Sequence, residues 1–452
     1  MVKTRRRVRH RFASCLAAAA LLATAGCAGA GSLGAGDRTV TIAMVSNSQM
    51  TDARALAARF EAENPGTELR FVTLSENQAR AKITASTAMG GGEFDVVMIS
   101  NYETPQWAEN GWLVNLSDYI DRTPGYDETD FIPTLRDSLS YEGDMYSVPF
   151  YGESSFLMYR KDLFEQAGIT MPREPTWQQV ADAAEQLDGP GMSGICLRGK
   201  PGWGEVLAPL NTVINTFGGR WFDENWNAQL TSPETRRAVQ FYVDLVREHG
   251  QSGAATSGFN ECATQFGQGR TAMWYDATSA VSVLEDPGSS TVAGKIGYAM
   301  APKVDKAKPG WLYTWSLGIP HSSDKPDAAW QFISWMTNKD YIELVGSELG
   351  WERVPPGSRL STYQIPEYRE RSATYGELTV ESISGATPKQ PTVQPVPYTG
   401  VQFVAIPEFQ DLGTRVSQQI SAAIAGQKSV DAALEQAQDY AQAVGRTYQE
   451  AS

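Results

Sequence analysis

The chain has 452 residues, with 52 Asp and Glu against 38 Lys and Arg, three His and a formal net charge of −14. Such an acidic surface repels nucleic acid and anionic lipid headgroups, which argues against DNA or RNA binding. The few histidines and the absence of close Cys/His spacing argue equally against a histidine-built metal site or a His-dependent triad, so no cofactor is expected.

Residues 1–26 read as a targeting segment. MVKTRRRVRHR precedes an apolar stretch, 12–25, too short to span a bilayer as a mature helix. Ala25-Gly26 before Cys27 resembles the lipobox of bacterial lipoproteins, in which that cysteine is lipid-modified and becomes the new N-terminus. Thr24 stands where that motif usually carries Leu, and an ordinary signal peptide releasing a soluble protein is the alternative. The segment takes six basic residues and no acid with it, leaving 32 basic against 52 acidic residues, net −20. Residues 27–36, rich in Gly and Ala, read as a flexible tether. No later stretch is apolar for long enough to cross a membrane. Cys15 leaves with the segment, so Cys196 and Cys262 remain, an even pair in an exported chain. That favours a disulfide over two separate buried thiols.

The body of about 415 residues exceeds one ordinary core and favours two lobes. Thr39–Val45 alternates Val40, Ile42 and Met44 like a strand. Residues 51–64 follow with Ala53, Leu56, Ala57 and Phe60 at helical spacing, stopping at Asn64-Pro65-Gly66. Leu69, Phe71 and Val72 mark a second strand, 77–89 a second helix ended by Gly90-Gly91-Gly92, and 94–99 a third strand. Strand–helix–strand–helix–strand predicts a parallel sheet flanked by helices. Further on, 156–164 reads as a strand running into a helix, and Thr176 caps a helix opening at Trp177. Residues 232–248 and 326–336 read as amphipathic helices, and 415–448 as two helices broken at Gly426.

In open parallel sheets, ligands bind beyond the carboxyl ends of the strands. The three strands are followed by Ser46-Asn47-Ser48-Gln49-Met50, by Ser75-Glu76-Asn77 and by Ser100-Asn101-Tyr102-Glu103. These clusters of hydroxyl, amide and carboxylate also suit loops and helix caps, but all three fall at the functional edge.

At this point the residues carry a family. RFEAENPG, EFDVVMIS, DMYSVPFYGESSFLMYRKDLFEQAGI, PTWQQV, FGQGRTAMWYDAT, SLGIPHSSDKPDAAWQFISWMTN and GSELGWERVPPGSR occur in an order that resembles the extracellular solute-binding proteins of ABC sugar importers, over residues 37–452. NSQMTDA, ISNYETPQWAENGWL, ICLRGKPGWGE and MWYDATSA look like the members that bind sugar alcohols. The resemblance implies an α/β fold of two lobes joined by crossing strands and a hinge, with crossings near 148–151, 274–276 and 314–317. It places residues 37–149 plus 275–315 in lobe 1 and 150–274 plus 316–452 in lobe 2. It also implies a monomer on the outer face of the cell membrane, tethered through Cys27 and delivering ligand to ABC permease subunits.

A polyol needs carboxylates, amides and arginine forks for its hydroxyls and aromatic faces for its carbons. The candidates of that kind are Asn47, Gln49, Glu76, Asn77, Arg80, Asn101, Glu103, Glu153, Glu205, Asp276 and Arg353, with Tyr151, Trp203, Trp221, Tyr275, Trp315 and Trp351. Glu153 and Asp276, at expected crossings, lead the list, and Trp203 sits between two glycines that let a loop approach closely. Arg353 reads equally well as a surface charge, and Arg80, on a helix face, ranks below it as a solvated charge. Trp107, Trp112, Trp177, Trp330 and Trp335 stand at core spacing. The expected function is capture of a neutral polyol, with a mono- or oligosaccharide as the alternative ligand. A glycoside hydrolase using Glu153 and Asp276 is the rival of another class.

Overall fold

The computed structural model describes residues 38–451. The targeting segment, the tether and Cys27 lie outside the described residues. Among the described residues, eleven strands form two principal sheets and one hairpin. In chain order they are β1 (Thr39–Val45), β2 (Glu68–Leu74), β3 (Val96–Ser100), the hairpin β4 (Ser140–Tyr141) and β5 (Asp144–Met145), β6 (Ser147–Glu153), β7 (Ser155–Arg160), β8 (Ser193–Cys196), β9 (Thr271–Ala277), β10 (Ile296–Met300) and β11 (Tyr313–Gly318).

The first sheet has the order β2-β1-β3-β11-β6. Its first three strands run parallel, as the alternation of strands and helices requires, while β11 is antiparallel to both β3 and β6. β1 and β3 are buried nearly throughout, as expected of strands covered on both faces, and β3 accordingly reads as a continuous apolar run. The expected helix over 51–64 is two abutting helices, Ser48–Ala55 and Ala57–Glu63, meeting at Leu56. No Gly or Pro marks that joint in the sequence. The helix Glu76–Met89 ends on Gly90, whose positive φ of 64° closes it as anticipated.

The second sheet has the order β10-β7-β9-β8. The chain passes from the first sheet to the second at Ser154, between β6 and β7. Thr176 caps its helix with a full capping box, its hydroxyl accepting from the Gln179 amide. The C-terminal helices Phe409–Ile424 and Val430–Ala451 pack on each other and on Pro233–His249.

The strand pairing corrects the expected lobe limits. Residues 275–315 do not form a block of the first sheet: β9 and β10 pair with β7 in the second, and the return is made by β11. Residues 316–348 do not belong with the second sheet either. Phe332, on the helix Pro326–Thr337, meets Phe60 and Phe71 with ring centroids 5.5 and 6.0 Å apart, which buries that helix's apolar face on the first sheet's side. A crossing strand is apolar in both lobes, so its composition does not say which neighbours it pairs with.

Cys196 and Cys262 form the expected disulfide, tying the end of β8 to the helix Phe259–Gly267 across 66 positions of sequence. Closing a loop of that length stabilises by restricting the unfolded chain. Replacing both cysteines by Ala should therefore cost about 2–5 kcal/mol in urea unfolding, whereas an unchanged midpoint would show that the loop is constrained by other means.

Candidate ligand-binding site

The parallel-edge rule finds a cavity where it should. Its empty space is about 620 Å³ including its open mouth, and it is lined from the first sheet by Val45 at the end of β1 with Ser46, Asn47 and Gln49 beyond it, and by Ser75, Glu76 and Arg80 after β2. β6 and β11 supply the floor. Tyr313 pairs with Glu153 and Trp315 with Tyr151, so the two-residue period of both strands turns all four side chains to one face. A bulge between Trp315 and Ser316 shifts the register there, the kind of irregularity that re-aims side chains beside sites. The second sheet contributes Arg198, Lys200, Gly204 and Glu205 from the loop after β8, with Phe259, Asn260, Ala277 and Ser279. Gln402 enters from the C-terminal part of the chain.

Two buried guanidiniums frame the cavity. Arg80 donates through Nη2 and Nε to Glu76, at 2.8 and 3.1 Å, and through Nη1 to Glu103 at 3.3 Å. Its guanidinium lies 4.1 Å from the Trp203 ring centroid and 4.7 Å from that of Trp315. Arg198 forks onto Asp276, Nε to Oδ2 at 2.8 Å and Nη2 to Oδ1 at 2.5 Å, and its Nη1 donates to the Gly204 carbonyl at 2.8 Å. Burial opposes both charges, but the surrounding carboxylates, joined at Arg80 by Tyr313, outweigh it and hold both guanidiniums above their ordinary range.

The cavity carboxyls respond the other way. Burial pushes Glu153 up to about 8, against the hydrogen bond it accepts from Ser279 at 2.5 Å and the attraction of Arg198. Glu205 is raised by burial and by the charge of Glu76, although Arg198 and Lys200 draw it down. Asn47 caps the helix Ser48–Ala55 by accepting from the Met50 amide, and its Nδ2 donates to the Tyr151 hydroxyl, both at 2.9 Å. Gln49 donates to Ser282 Oγ at 2.7 Å.

Of the candidates named from sequence, Asn47, Gln49, Glu76, Arg80, Tyr151, Glu153, Glu205 and Trp315 line the cavity. The other nine stand elsewhere. Glu103 and Asp276 lie behind the arginines; Asp276 is fully buried and also accepts from Trp274 Nε1 and the Ala277 amide. Trp203 stacks on Arg80, and Asn77 donates to the Pro201 carbonyl at 2.9 Å. Asn101 accepts from the Thr314 amide at 3.0 Å. Trp221 donates to Asn211, and the Tyr275 hydroxyl is shared with Ser155 and Thr212, because both rings belong to the core. Trp351 covers Gly346, where a Cβ would meet its ring at 2.4 Å. Arg353 pairs with Asp52 and stands 3.6 Å from Asp286.

Arg198 and Lys200 line the cavity without being among the sequence candidates, although they sit in the same ICLRGKPGWGE loop as Glu205, beyond a strand parallel to its neighbour. Tyr313 was legible as the period-two neighbour of Trp315. Gln402 carries no such signal. Asp276 as one of two hydrolytic carboxylates does not fit, since both its oxygens are engaged by Arg198.

Residues 47–343 match the family described as bacterial extracellular solute-binding proteins. A mannitol-binding protein of Pseudomonas aeruginosa is 43% identical over 429 residues, covering 94% of this chain and 95% of that one. The crystal structure of an ABC transporter solute-binding protein from Agrobacterium vitis with bound D-mannitol is 46% identical, covers 92% of this chain and 99% of that chain, and gives a TM-score of 0.88. A solute-binding protein of Agrobacterium radiobacter in complex with ribitol is 25% identical, with a TM-score of 0.79 over 90% of this chain and 98% of that one. The chain belongs to the bacterial extracellular solute-binding proteins, with their two-lobed fold. It is a binding protein and not an enzyme, and it works outside the cytoplasm.

Two outcomes follow from the buried charges. Removing Asp276 leaves the Arg198 guanidinium buried without its fork, so Asp276→Ala should lower the ligand-free protein's stability by about 3–5 kcal/mol in denaturant unfolding. Glu153 ionises near 4.5 when unfolded and near 8 when folded. The unfolded chain therefore holds fewer protons between those values, and Glu153's contribution is full below about 4.5 and lost as pH rises to 8. Glu153→Gln should flatten the decline of the ligand-free melting temperature across that window; an unaltered pH profile would show the carboxyl to be ionised throughout.

Proposed function

We propose that the protein captures an acyclic sugar alcohol, a hexitol such as D-mannitol, and delivers it to the membrane subunits of an ABC importer. One observation supports this most: the charged side chains around the cavity are already paired with one another. Arg80 is held by Glu76, Arg198 by Asp276, and Lys200 lies 3.2 Å from Glu205. An ionic ligand would have to break a pair in a site where isolated charges are costly. A neutral molecule rich in hydroxyls instead bonds to the remaining lone pairs and protons, with its C–H edge against Trp315 and Tyr151. The relatives named for mannitol, and crystallised with it, are similar over nearly the whole chain.

We further infer that Cys27 is lipid-modified and holds the protein as a monomer at the outer face of the membrane, a reading supported by the apolar stretch and the small residues before that cysteine.

A panel of polyols and sugars tests the ligand by thermal shift. D-mannitol at a hundred times its dissociation constant should stabilise the protein by about 2.7 kcal/mol. Shorter or epimeric polyols should do less, and glucose or maltose nothing. A shift with pyranoses and none with any polyol would transfer the site to sugars.

A further inference from the structure

Gln402 lies in the stretch 385–408, which joins the helices Gly376–Ser384 and Phe409–Ile424 without regular secondary structure. Irregular backbone is mobile unless something holds it, and here much holds it. Asn211 and Asn215, on the buried helix Leu207–Thr216, donate to the carbonyls of Gln402 and Val401 at 2.6 and 2.9 Å. Trp221 Nε1 donates to Asn211 Oδ1 at 3.0 Å and so turns that amide toward Gln402. The Tyr398 hydroxyl accepts from the Trp221 amide, and Tyr102 donates to the Ile406 carbonyl, both at 3.0 Å. Gly400 adopts φ 109°, and a Cβ there would stand 2.2 Å from the Phe403 carbonyl oxygen. The stretch is pinned from both sides of the residue that enters the cavity.

The Gln402 side chain does not share this satisfaction. The residue is 4% exposed and lines the cavity, yet its buried Oε1 has no hydrogen-bond partner. Turning the amide over would leave a buried nitrogen in the same position. Buried polar atoms without partners cost stability and are rare in native proteins. A rigid stretch that delivers such an atom to the cavity, where the Tyr313 hydroxyl is likewise without a partner, leaves it open to a bond from a ligand. A primary amide presents one acceptor beside one donor in a plane. Adjacent hydroxyls of a polyol can match both, one donating and one accepting, whereas a lone carboxylate or ammonium can match only one.

We infer that Gln402 is a specificity-determining residue that reads a vicinal diol of the ligand. This rests on the polyol reading above and adds to it the group that counts hydroxyls. Trp221 and Asn211 are positioning residues that act through the Gln402 backbone.

Calorimetric titration of D-mannitol, and of hexitols each lacking one hydroxyl, into the wild type, Gln402→Leu and Gln402→Glu tests it. Gln402→Leu should weaken mannitol binding by about tenfold to a hundredfold. Gln402→Glu, close in shape but without the donor, should weaken it less. At least one deoxyhexitol should lose affinity for the wild type and lose nothing more on Gln402→Leu, since the missing hydroxyl and the missing amide are partners. Should Gln402→Leu fail to fold, Gln402→Glu carries the same cycle. Mannitol binding within about threefold of wild type in both variants, as expected if the amide holds only a water, would overturn the inference. So would equal penalties for every missing hydroxyl in wild type and variant. A wild type that binds no polyol sinks the earlier reading instead, a separate outcome.

Discussion

Taking a guanidinium out of water costs several kcal/mol unless its hydrogen bonds and its charge are answered nearby. Arg80 and Arg198 are both nearly fully buried at the wall of one cavity, and much of the surrounding structure is arranged to answer them. Glu103 meets Arg80 from behind while accepting from the Ser100 amide at 3.0 Å, which fixes the carboxylate to the end of β3. Asp276 does the same for Arg198 from within β9. Each arginine is thus locked to the edge of its own sheet, and the donors at the cavity wall are held in place by the protein itself. Pre-ordered groups lose little further entropy on binding.

The same two residues bring the sheets' loops together. Arg80 follows β2, yet it stacks on Trp203 from the loop after β8. That contact demands a thin loop. A Cβ on Gly204 would stand 2.3 Å from Glu76 Oε1, and one on Gly202 2.4 Å from Asn77 Oδ1, so the glycines of PGWGE let backbone settle onto the helix Glu76–Met89. Away from the cavity, Arg353 joins Asp52 to Asp286, and Gln49 reaches Ser282. Proteins of this fold close on ligand by a hinge. Here several of the contacts between the two sides, Arg80 on Trp203 and Gln49 to Ser282 among them, run through side chains that line the cavity or pack directly behind it, so occupancy and closure share those bonds.

This layering explains what the sequence disclosed. β1 to β3 and the clusters after them were readable because parallel strands place their loops at a predictable edge, and because β1 alternates with a period of two. Tyr275 and Trp221 have the right chemistry for a polyol pocket, but a residue on strand β9 points to one face or the other, and a bend residue such as Trp221 can turn into the core. Tyr275 faces Trp177, and Trp221 packs on Phe409. Asp276, one position along β9 from Tyr275, faces Arg198, so it holds a donor rather than a hydroxyl. The expected lobe limits differ from the strand pairing for a similar reason, since a crossing strand's composition is silent on its partners. Gln402 was beyond reach: its place depends on bonds from Asn211 and Asn215, some 190 residues earlier in the chain, and no local pattern records them.

Glu153 and Gln402 show how one cavity can suit hydroxyls better than ions. Burial keeps the Glu153 carboxyl protonated up to about 8, so at neutral pH one of its oxygens can donate while the other accepts from Ser279. Gln402 also carries both roles, without a charge. A hydroxyl is the group that can meet such partners in either sense, and a missing or inverted one leaves a buried donor or acceptor unanswered, a mismatch that discriminates far more strongly than a lost methylene. The arginines add donors whose charge is already neutralised by Glu76 and Asp276. On the proposed reading, selectivity would come from the count and direction of hydrogen bonds, while the arginines at the cavity wall are paired within the protein before any ligand enters.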